Sequence, residues 1–391
     1  MKLAIKLAYR NLIGAGLRTW LNVIVLSFSF VIIIWMKGIL VGWDRQAKSD
    51  MIHWEIGGGQ YWNRNYDPYD PFTLEDSHMR IPPELQAGIA AGDVEPVLID
   101  QGTIYPEGRM QAVLIKGINP SQKILNLPTQ KLDTAIDATP AIIGSQMARA
   151  NKLHTGDNVI LRWRDVNGTF DATDIWIADI FTTNVPTVDV GQVWIPLDSL
   201  QSMLLMPDEA TLFTLRHPGK KLTELSDWKL MTVGDLTTDL EKMIRTKTIG
   251  QSVFYVILLL LALLAIFDTQ VLSIFRRQKE IGTYIALGYT RREVVGLFTV
   301  EGAMHSVLAA IVAAIYGIPF LIWQAKTGWS LPVESGDFGI TMASTLYPVY
   351  SVGLVLTTIF IVLVTTTIVS YWPSRKIAKM NPTDALRGKL Q

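Results

Sequence analysis

Three ionisable residues interrupt long apolar runs of this chain: Asp268, Glu301 and His305. A charged group at the centre of a bilayer costs about 2.5–3.5 kcal/mol on insertion scales, so we expect each to have a partner or a function. Glu301 and His305 are four residues apart and share one face of a helix. We therefore predict an intramembrane polar cluster of these three side chains, joined by mutual hydrogen bonds.

Two alternatives to this cluster stay open. Each group instead meets a backbone or hydroxyl partner in a dimer interface, or the groups carry protons across the membrane. Asp268 precedes Arg276 by eight residues, and Glu301 follows Arg292 by nine. At about 1.5 Å per residue, both lie roughly 12–14 Å inside the cytosolic edge.

Other catalytic chemistry has little support in the sequence. There is no cysteine, which excludes disulfides, thiolate zinc sites and cysteine nucleophiles. The histidines show neither H-x-x-x-H nor HExxH spacing, so we expect no metal site. We find no GxSxG motif and no convincing acid pair, and we therefore expect that the chain is not an enzyme.

Composition favours a membrane protein. Of the 391 residues, 49% are hydrophobic and only 18% are charged, whereas soluble domains carry about 25% charged residues. The formal net charge is zero, and a general nucleic-acid binder needs a basic surplus to neutralise phosphates. We therefore expect no nucleic-acid partner.

Long apolar stretches predict four transmembrane helices, because about 20 helical residues span the bilayer core. We place them at residues 19–43, 250–275, 293–325 and 346–372. The first is too long for the apolar region of a signal peptide, so we expect an uncleaved anchor. The predicted fold is an α-helical membrane protein with one large α+β extracytoplasmic domain, residues 44–249, inserted between the first and second transmembrane helices.

Basic residues predict the orientation, because short cytoplasmic segments are enriched in lysine and arginine. They flank the predicted helices in three groups: Lys2, Lys6, Arg10 and Arg18; Arg276, Arg277, Lys279, Arg291 and Arg292; Arg375, Lys376, Lys379, Arg387 and Lys389. Both termini, segment 276–292 and the tail 373–391 are therefore predicted to be cytosolic. Residues 326–345 form a short external loop.

The extracytoplasmic domain has the patterns of mixed α and β structure. Runs such as EPVLIDQGTIYP, MQAVLIKGI, DNVILRWRDV and TDIWIADIF predict strands, and GSQMARANKL and PLDSLQSMLL predict short helices. We expect an ordered loop over residues 55–72, where glycine, proline and aromatic residues cluster, with substrate contact as one possible role. The spacing of basic and apolar residues in segment 1–18 predicts an amphipathic elbow helix at the membrane surface. The alternative is a basic flank that only sets the topology.

The segment RRQKEIGTYIALGYTRR, residues 276–292, predicts a short cytosolic helix between the second and third transmembrane helices. Ile281, Tyr284, Ile285 and Gly288 fall on one helical face. Gly288 suits a left-handed cap, and Thr290 suits the start of the next helix. We expect this apolar face to be exposed and covered by a protein groove, with a surface-lying turn as the alternative.

Several segments resemble the FtsX-type permeases, which include MacB-like and LolC/LolE-like members. RRQKEIGTYIALGYTRREVVGLFTVEG resembles their joint between transmembrane helices two and three. LAYRNLIGAGLRTWLNV and YWPSRKIAKMNPTDALRGKL resemble their two ends, while AIIGSQMARANKLHTGDNVIL and VWIPLDSLQSML resemble their MacB-type periplasmic core domain. The chain is similar to this family at both ends, in the outer domain and at the joint.

This resemblance implies that segment 276–292 is a coupling helix in a groove of a cytosolic ABC ATPase. The implied coupling residues are Lys279, Glu280, Ile281, Gly282, Tyr284, Ile285, Gly288, Arg291 and Arg292. The chain has no GxxxxGK[ST] motif, so we expect a separate ATPase subunit to bind ATP and Mg.

The same resemblance implies a place in the bacterial inner membrane and several partners. A second permease copy or a paralogue would complete a dimer, and membrane lipids would surround it. A periplasmic adaptor or a lipoprotein is a further candidate partner. Two functions stay open: mechanotransmission that moves a lipoprotein, lipid or other amphipathic cargo, or FtsX-like signalling that activates a cell-wall hydrolase without transport.

Overall fold

A computed structural model of the chain describes residues 17–134, 138–217, 225–330 and 345–379. Most of the predicted elbow at 1–18, most of the external loop and most of the tail lie outside the described residues. The chain divides into two compact units. One comprises Met1–Trp43, Ile244–Ser330 and Thr345–Gln391, and the other comprises Asp44–Met243 and Leu331–Ser344. We call them the membrane unit and the outer unit.

Helices and strands alternate irregularly along the chain. The helices are α1 (Leu17–Met51), α2 (Pro83–Ala90), α3 (Ser145–Asn151), α4 (Pro186–Asp189), α5 (Leu197–Leu204), α6 (Val233–Arg276), α7 (Gln278–Ala286), α8 (Arg291–Thr327) and α9 (Val352–Ser374). The strands are β1 (Gln60–Asn63), β2 (Met79–Arg80), β3 (Val94–Ile104), β4 (Gln111–Ile118), β5 (Thr139–Gly144), β6 (Asn158–Arg164), β7 (Phe170–Phe181), β8 (Gln192–Pro196), β9 (Glu209–Ala210), β10 (Leu212–Leu215), β11 (Trp228–Met231), β12 (Trp329–Ser330) and β13 (Thr345–Leu346).

Four helices, α1, α6, α8 and α9, are long and apolar enough to cross a membrane, as the sequence predicts. Their bounds differ from those expected. Helix α1 continues to Met51 and helix α6 begins at Val233, because polar residues extend a helix once its apolar part is formed. Helix α9 begins at Val352 rather than at residue 346, after strand β13 and the N-cap Ser351, whose side chain accepts a hydrogen bond from the Leu354 amide at 3.2 Å.

Small residues let the helices of the membrane unit approach closely. A Cβ atom placed on Gly317 of α8 would lie 2.7 Å from Val31 of α1. One on Gly38 of α1 would lie 2.2 Å from the Tyr350 ring. Side chains from α1, α6, α8 and α9 then form a common apolar core: Val23, Leu26, Phe30, Val31, Ala262, Ile266, Ala309, Ala313 and Val362. Small residues at helix contacts are typical of membrane bundles, where close packing drives association.

The outer unit contains a closed six-stranded barrel. Its strands follow the order β3-β4-β8-β5-β7-β6, and β6 pairs with β3 to close the ring. Most pairs are antiparallel, but β4–β8 and β5–β7 are parallel. The interior is apolar and includes Leu98, Ile115, Ile143 and Leu161, each fully buried. The pairing of Gly102–Ile104 with β6 closes the ring at the carboxyl end of β3.

The amino-terminal half of β3 also extends the sheet away from the barrel. There β3 pairs with β10, β10 with β1, and β1 with β11, all antiparallel. The expectation of a plain loop over residues 55–72 is therefore wrong in part, because Gln60–Asn63 form strand β1. The predicted strands and helices of the outer domain are otherwise present, among them β3, β4, β6, α3 and α5.

Glu95 of β3 is a buried carboxyl group in this sheet. It is 5% exposed, and its Oε1 accepts a hydrogen bond from the Asn119 amide at 3.0 Å. Burial raises the pKa of Glu95 to about 7, because desolvation penalises the charged form. The folded state therefore retains this proton at pH values where the unfolded chain has lost it.

We predict that Glu95→Gln stabilises the outer unit increasingly as pH rises from about 4.5 to about 7, and by a constant amount above that. Because the folded pKa is raised, the Glu95 contribution to stability falls as pH rises from about 4.5 to about 7 and stays unfavourable above it. Glutamine does not ionise, so the free energy of unfolding should rise by on the order of 2 kcal/mol at about pH 8 and little at about pH 5. Thermal unfolding of the full chain in detergent measures the difference.

Asp133→Asn is the matched control, because Asp133 is exposed. It should change the unfolding temperature equally little at both pH values. An equal effect of Glu95→Gln at about pH 5 and pH 8 would contradict the assignment of the proton to Glu95.

Candidate functional site

Helix α7 forms the joint between membrane helices α6 and α8, and local sequence signals set its ends. Helix α6 ends at Arg276, and Arg277 has non-helical backbone angles. After α7, Gly288 has a φ of +98°, a left-handed conformation that glycine adopts without strain. Thr290 then caps α8: its hydroxyl accepts from the Glu293 amide at 3.3 Å, and the Glu293 carboxylate accepts from the Thr290 amide at 2.8 Å. The predicted caps at Gly288 and Thr290 are confirmed.

The apolar face of α7 packs against its own chain. Ile281 is fully buried, and Tyr284 and Ile285 are half-buried beside it. The cluster around Ile281 comprises Ile274, Val294, Val295, Phe298 and Ile377. The expectation of an exposed apolar face is therefore wrong for Ile281. Helical periodicity identifies an apolar face, but it does not say which surface covers it.

A different surface of the joint faces outward. Leu287, directly after α7, is 72% exposed, and Tyr289 is 41% exposed. The basic residues Lys279, Arg291 and Arg292 are also exposed. We call Leu287–Arg292 the tip of the joint. Leu287 is not among the predicted coupling residues, although it lies within the segment RRQKEIGTYIALGYTRR from which they were taken.

Arg277 connects the start of α7 to the interior of α8. Its Nη1 donates to both carboxylate oxygens of Glu301 at 2.9 Å, and its Nε donates to Glu280 at 2.7 Å. The guanidinium also lies over the Phe298 ring, 4.9 Å from its centroid. Glu301 is 7% exposed, so its charge is compensated inside the structure rather than by solvent. Sequence reasoning used Arg277 only for topology, because its partner lies 24 residues away.

The three residues of the predicted polar cluster have different surroundings. His305 Nδ1 lies 3.1 Å from the main-chain oxygen of Glu301, and a carbonyl only accepts, so Nδ1 carries the proton. Asp268 lies on an exposed face of α6. The structure thus brings His305 to the backbone of Glu301 and Arg277 to its carboxylate. A shared network that includes Asp268 stays a prediction.

Two uncharged polar residues, Gln270 and Ser370, meet at Gly302, next to Glu301 in the sequence. The sequence did not single them out. A Cβ atom placed on Gly302 would lie 2.2 Å from Ser370 Oγ of α9 and 3.2 Å from Gln270 Cδ of α6. Gln270 and Ser370 are both buried, and Gly302 therefore allows the three helices to touch at a polar layer. The Glu-Gly pair of α8 thus has two roles: Glu301 binds Arg277, and Gly302 leaves room for Ser370.

Comparison with known proteins identifies this region. Residues 252–382 match the model of the FtsX-like permease C-terminal family. An uncharacterized ABC transporter permease of Methanocaldococcus jannaschii is 26% identical over 42% of this chain and 38% of its own length. The macrolide export ATP-binding/permease protein MacB of Wolinella succinogenes is 26% identical over 45% of this chain and 24% of its own. That of Campylobacter jejuni is 30% identical over 36% of this chain and 20% of its own.

The chain thus spans between a fifth and two fifths of the length of these relatives. Among solved structures, the periplasmic region of MacB from Actinobacillus actinomycetemcomitans matches 48% of this chain and 94% of its own, with a TM-score of 0.32 and 12% identity. The family match carries the assignment, since it runs through α6, the joint, α8 and α9. On that match, residues 252–382 of the chain form an FtsX-like permease C-terminal domain.

Proposed function

We propose that the chain is the permease subunit of an ABC transporter whose separate cytosolic ATPase docks on the tip of the joint. The observation that supports this is Leu287, an exposed leucine between two membrane helices in the family-matched segment. Exposed apolar side chains beside basic residues are typical of docking sites for another protein. In this proposal Leu287 and Tyr289 enter the ATPase groove, and Lys279, Arg291 and Arg292 contact its rim. ATP and Mg bind to the ATPase.

Mechanical transmission is the second step of the proposal. Helix α7 is held to α8 by Ile281 in the apolar cluster and by the Arg277–Glu301 contact. A force on the tip would therefore move α7 and the start of α8 together rather than bend the joint, because packed interiors deform little. A second permease copy or a paralogue completes the dimer, and the outer units change position as the ATPase closes.

The cargo in this proposal is amphipathic: a lipoprotein, a lipid or another compound taken from the membrane surface. The protein lies in the bacterial inner membrane with both termini in the cytosol, and it works with a periplasmic adaptor or with the lipoprotein itself. The alternative is a signalling subunit in which the same movement activates a cell-wall hydrolase. Both share the ATPase contact, so the identity of the outer partner separates them.

We predict that Leu287→Glu releases the ATPase. A carboxylate in place of an exposed leucine would have to be desolvated in an apolar groove, which should weaken binding by about tenfold or more. The measurement is a pull-down of the solubilised full chain, with mass spectrometry of the retained proteins. Met110→Glu is the matched control, since Met110 is 74% exposed in the outer unit.

The same pull-down discriminates the two functions. A retained lipoprotein or lipid supports transport, and a retained hydrolase supports signalling. If Leu287→Glu retains the ATPase as well as Met110→Glu does, the tip is not the docking site. If the original chain retains no ATPase, the proposal of a separate ATPase subunit fails.

We predict that Glu301→Gln disturbs the joint far more than Glu280→Gln. Both carboxylates bind Arg277, but the Glu301 side chain is 9% exposed and that of Glu280 is 56% exposed. Loss of the buried partner leaves Arg277 with only the exposed Glu280 carboxylate and should lower the free energy of unfolding by about 2–4 kcal/mol. Loss of the exposed partner should lower it by less than about 1 kcal/mol.

Thermal unfolding of the two variants measures this difference, and the ATPase rate of the assembled complex reports on transmission. Glu301→Gln should still retain the ATPase, since the tip is unchanged, but the permease should no longer alter the ATPase rate. Equal behaviour of the two variants in both measurements would show that the buried contact does not transmit force.

A further inference from the structure

The outer unit contains an open cleft beside the end of the β3–β6 pairing. The two strands pair over Gly102–Ile104 of β3, with Gly102 opposite Trp163, and strand β6 ends at the next residue, Arg164. The cleft has a volume of about 1080 Å³ and is lined by β3, the end of β6, the turn after it and the segment from Tyr66 to Asp76. A cleft of this size is large enough for a small organic molecule.

At the base of this cleft, Asp100 occupies a position that favours an apolar residue. It lies on the same face of β3 as Leu98 and Gly102, which face the barrel interior. Its Oδ2 is buried and has no hydrogen-bond partner among the described residues. Burial raises the pKa of Asp100 to about 6, because desolvation disfavours the carboxylate. Buried polar atoms in folded proteins are usually paired, so this oxygen calls for an explanation.

The basic groups that line the cleft already have partners. Arg164 Nη1 binds Glu75 Oε1 at 2.7 Å. The Arg162 guanidinium lies over the Phe170 ring, 4.2 Å from its centroid. The His78 ring binds the Glu209 carboxylate. The carboxylate of Asp100 therefore remains available for a cation from outside the chain.

The rim of the cleft is apolar and exposed. Phe72 is 90% exposed, Phe170 is 62% exposed and Val166 is 51% exposed. Phe72 belongs to a short 3-10 turn, Pro71–Asp76. The Gln101 side chain helps to fix this turn, because its Nε2 donates to the Pro71 carbonyl at 3.1 Å. Exposed aromatic rings in water are unfavourable, and a ligand with an apolar body would cover them.

We propose that this cleft binds a small ligand that carries a protonated amine on an apolar body. The ammonium group would reach Asp100, and the body would lie between Phe72 and Phe170. Rotation about the Cβ–Cγ bond of Asp100 exchanges its two carboxylate oxygens. The ammonium group can therefore contact either oxygen and need not reach the buried position of Oδ2. This inference goes beyond the proposed function, because the cleft would bind its ligand whether or not an ATPase docks on the joint.

Three probes with the same aromatic body and different charge test the proposal: naphthylethylamine, naphthylethanol and naphthylacetate. Calorimetric titration of the full chain at about pH 8, where Asp100 is ionised, gives the three affinities. A hydrogen bond to a charged group is worth about 1.5–3 kcal/mol, so the amine should bind at least about tenfold more tightly than the alcohol. The carboxylate should bind most weakly.

Two variants locate the binding site. Asp100→Asn keeps the side-chain volume and removes the charge, so the amine should bind about as weakly as the alcohol. Phe72→Ala removes an exposed ring without disturbing the core and should weaken binding of the amine and the alcohol alike. Asp133→Asn and Met110→Ala are the matched controls, since both residues are exposed and neither lines the cleft.

These variants also correct for uptake of the probes by detergent, which is the same for every variant. The proposal is overturned if the amine binds Asp100→Asn as tightly as the original chain, or if the alcohol equals the amine. It is also overturned if Phe72→Ala changes nothing. Because no ATPase is present in the titration, loss of binding here and loss of ATPase docking at Leu287 are separate results.

Discussion

Every backbone amide and carbonyl group in this chain needs a hydrogen-bond partner, and the two units meet that need in different ways. A bilayer core offers no water, so the membrane unit uses continuous helices, whose backbone groups pair within each helix. The outer unit uses strands, whose groups pair only between neighbours, and its ring closes through the β3–β6 contact. At the joint, Gly288 adopts the left-handed backbone conformation and Thr290 caps the next helix.

The joint is the place where that requirement produces the surface that we propose for ATPase docking. Two membrane helices cannot reverse direction without ending, and the short helix α7 fills the gap between their ends. The inner side of the joint contacts α8: Ile281 packs in an apolar cluster with residues of α8, and Arg277 binds Glu301. What remains for a partner is the tip, with Leu287 as its most exposed apolar residue. In the proposed function, the packed inner side keeps α7 rigidly attached to α8, and the exposed tip contacts the ATPase.

Buried polar groups mark the two regions to which we assign activity. In the membrane unit, Glu301 is compensated by Arg277, while Gln270 and Ser370 meet at Gly302. In the outer unit, Asp100 occupies a core-facing position, and its Oδ2 atom has no hydrogen-bond partner among the residues that the structure describes. Both arrangements are less stable than an apolar equivalent would be, and such departures are typical of functional regions rather than of plain core.

The sequence by itself determined the features that depend on neighbouring residues. Hydropathy located the four membrane helices, and glycine and threonine located the caps at the joint, because these signals act within a few residues. Only the tertiary structure decided the pairings between distant segments. The β3–β6 contact closes the barrel, Glu301 binds Arg277 across 24 residues, and Ile281 faces inward rather than outward. Periodicity shows that a face is apolar, but the packing of the whole chain decides what covers it.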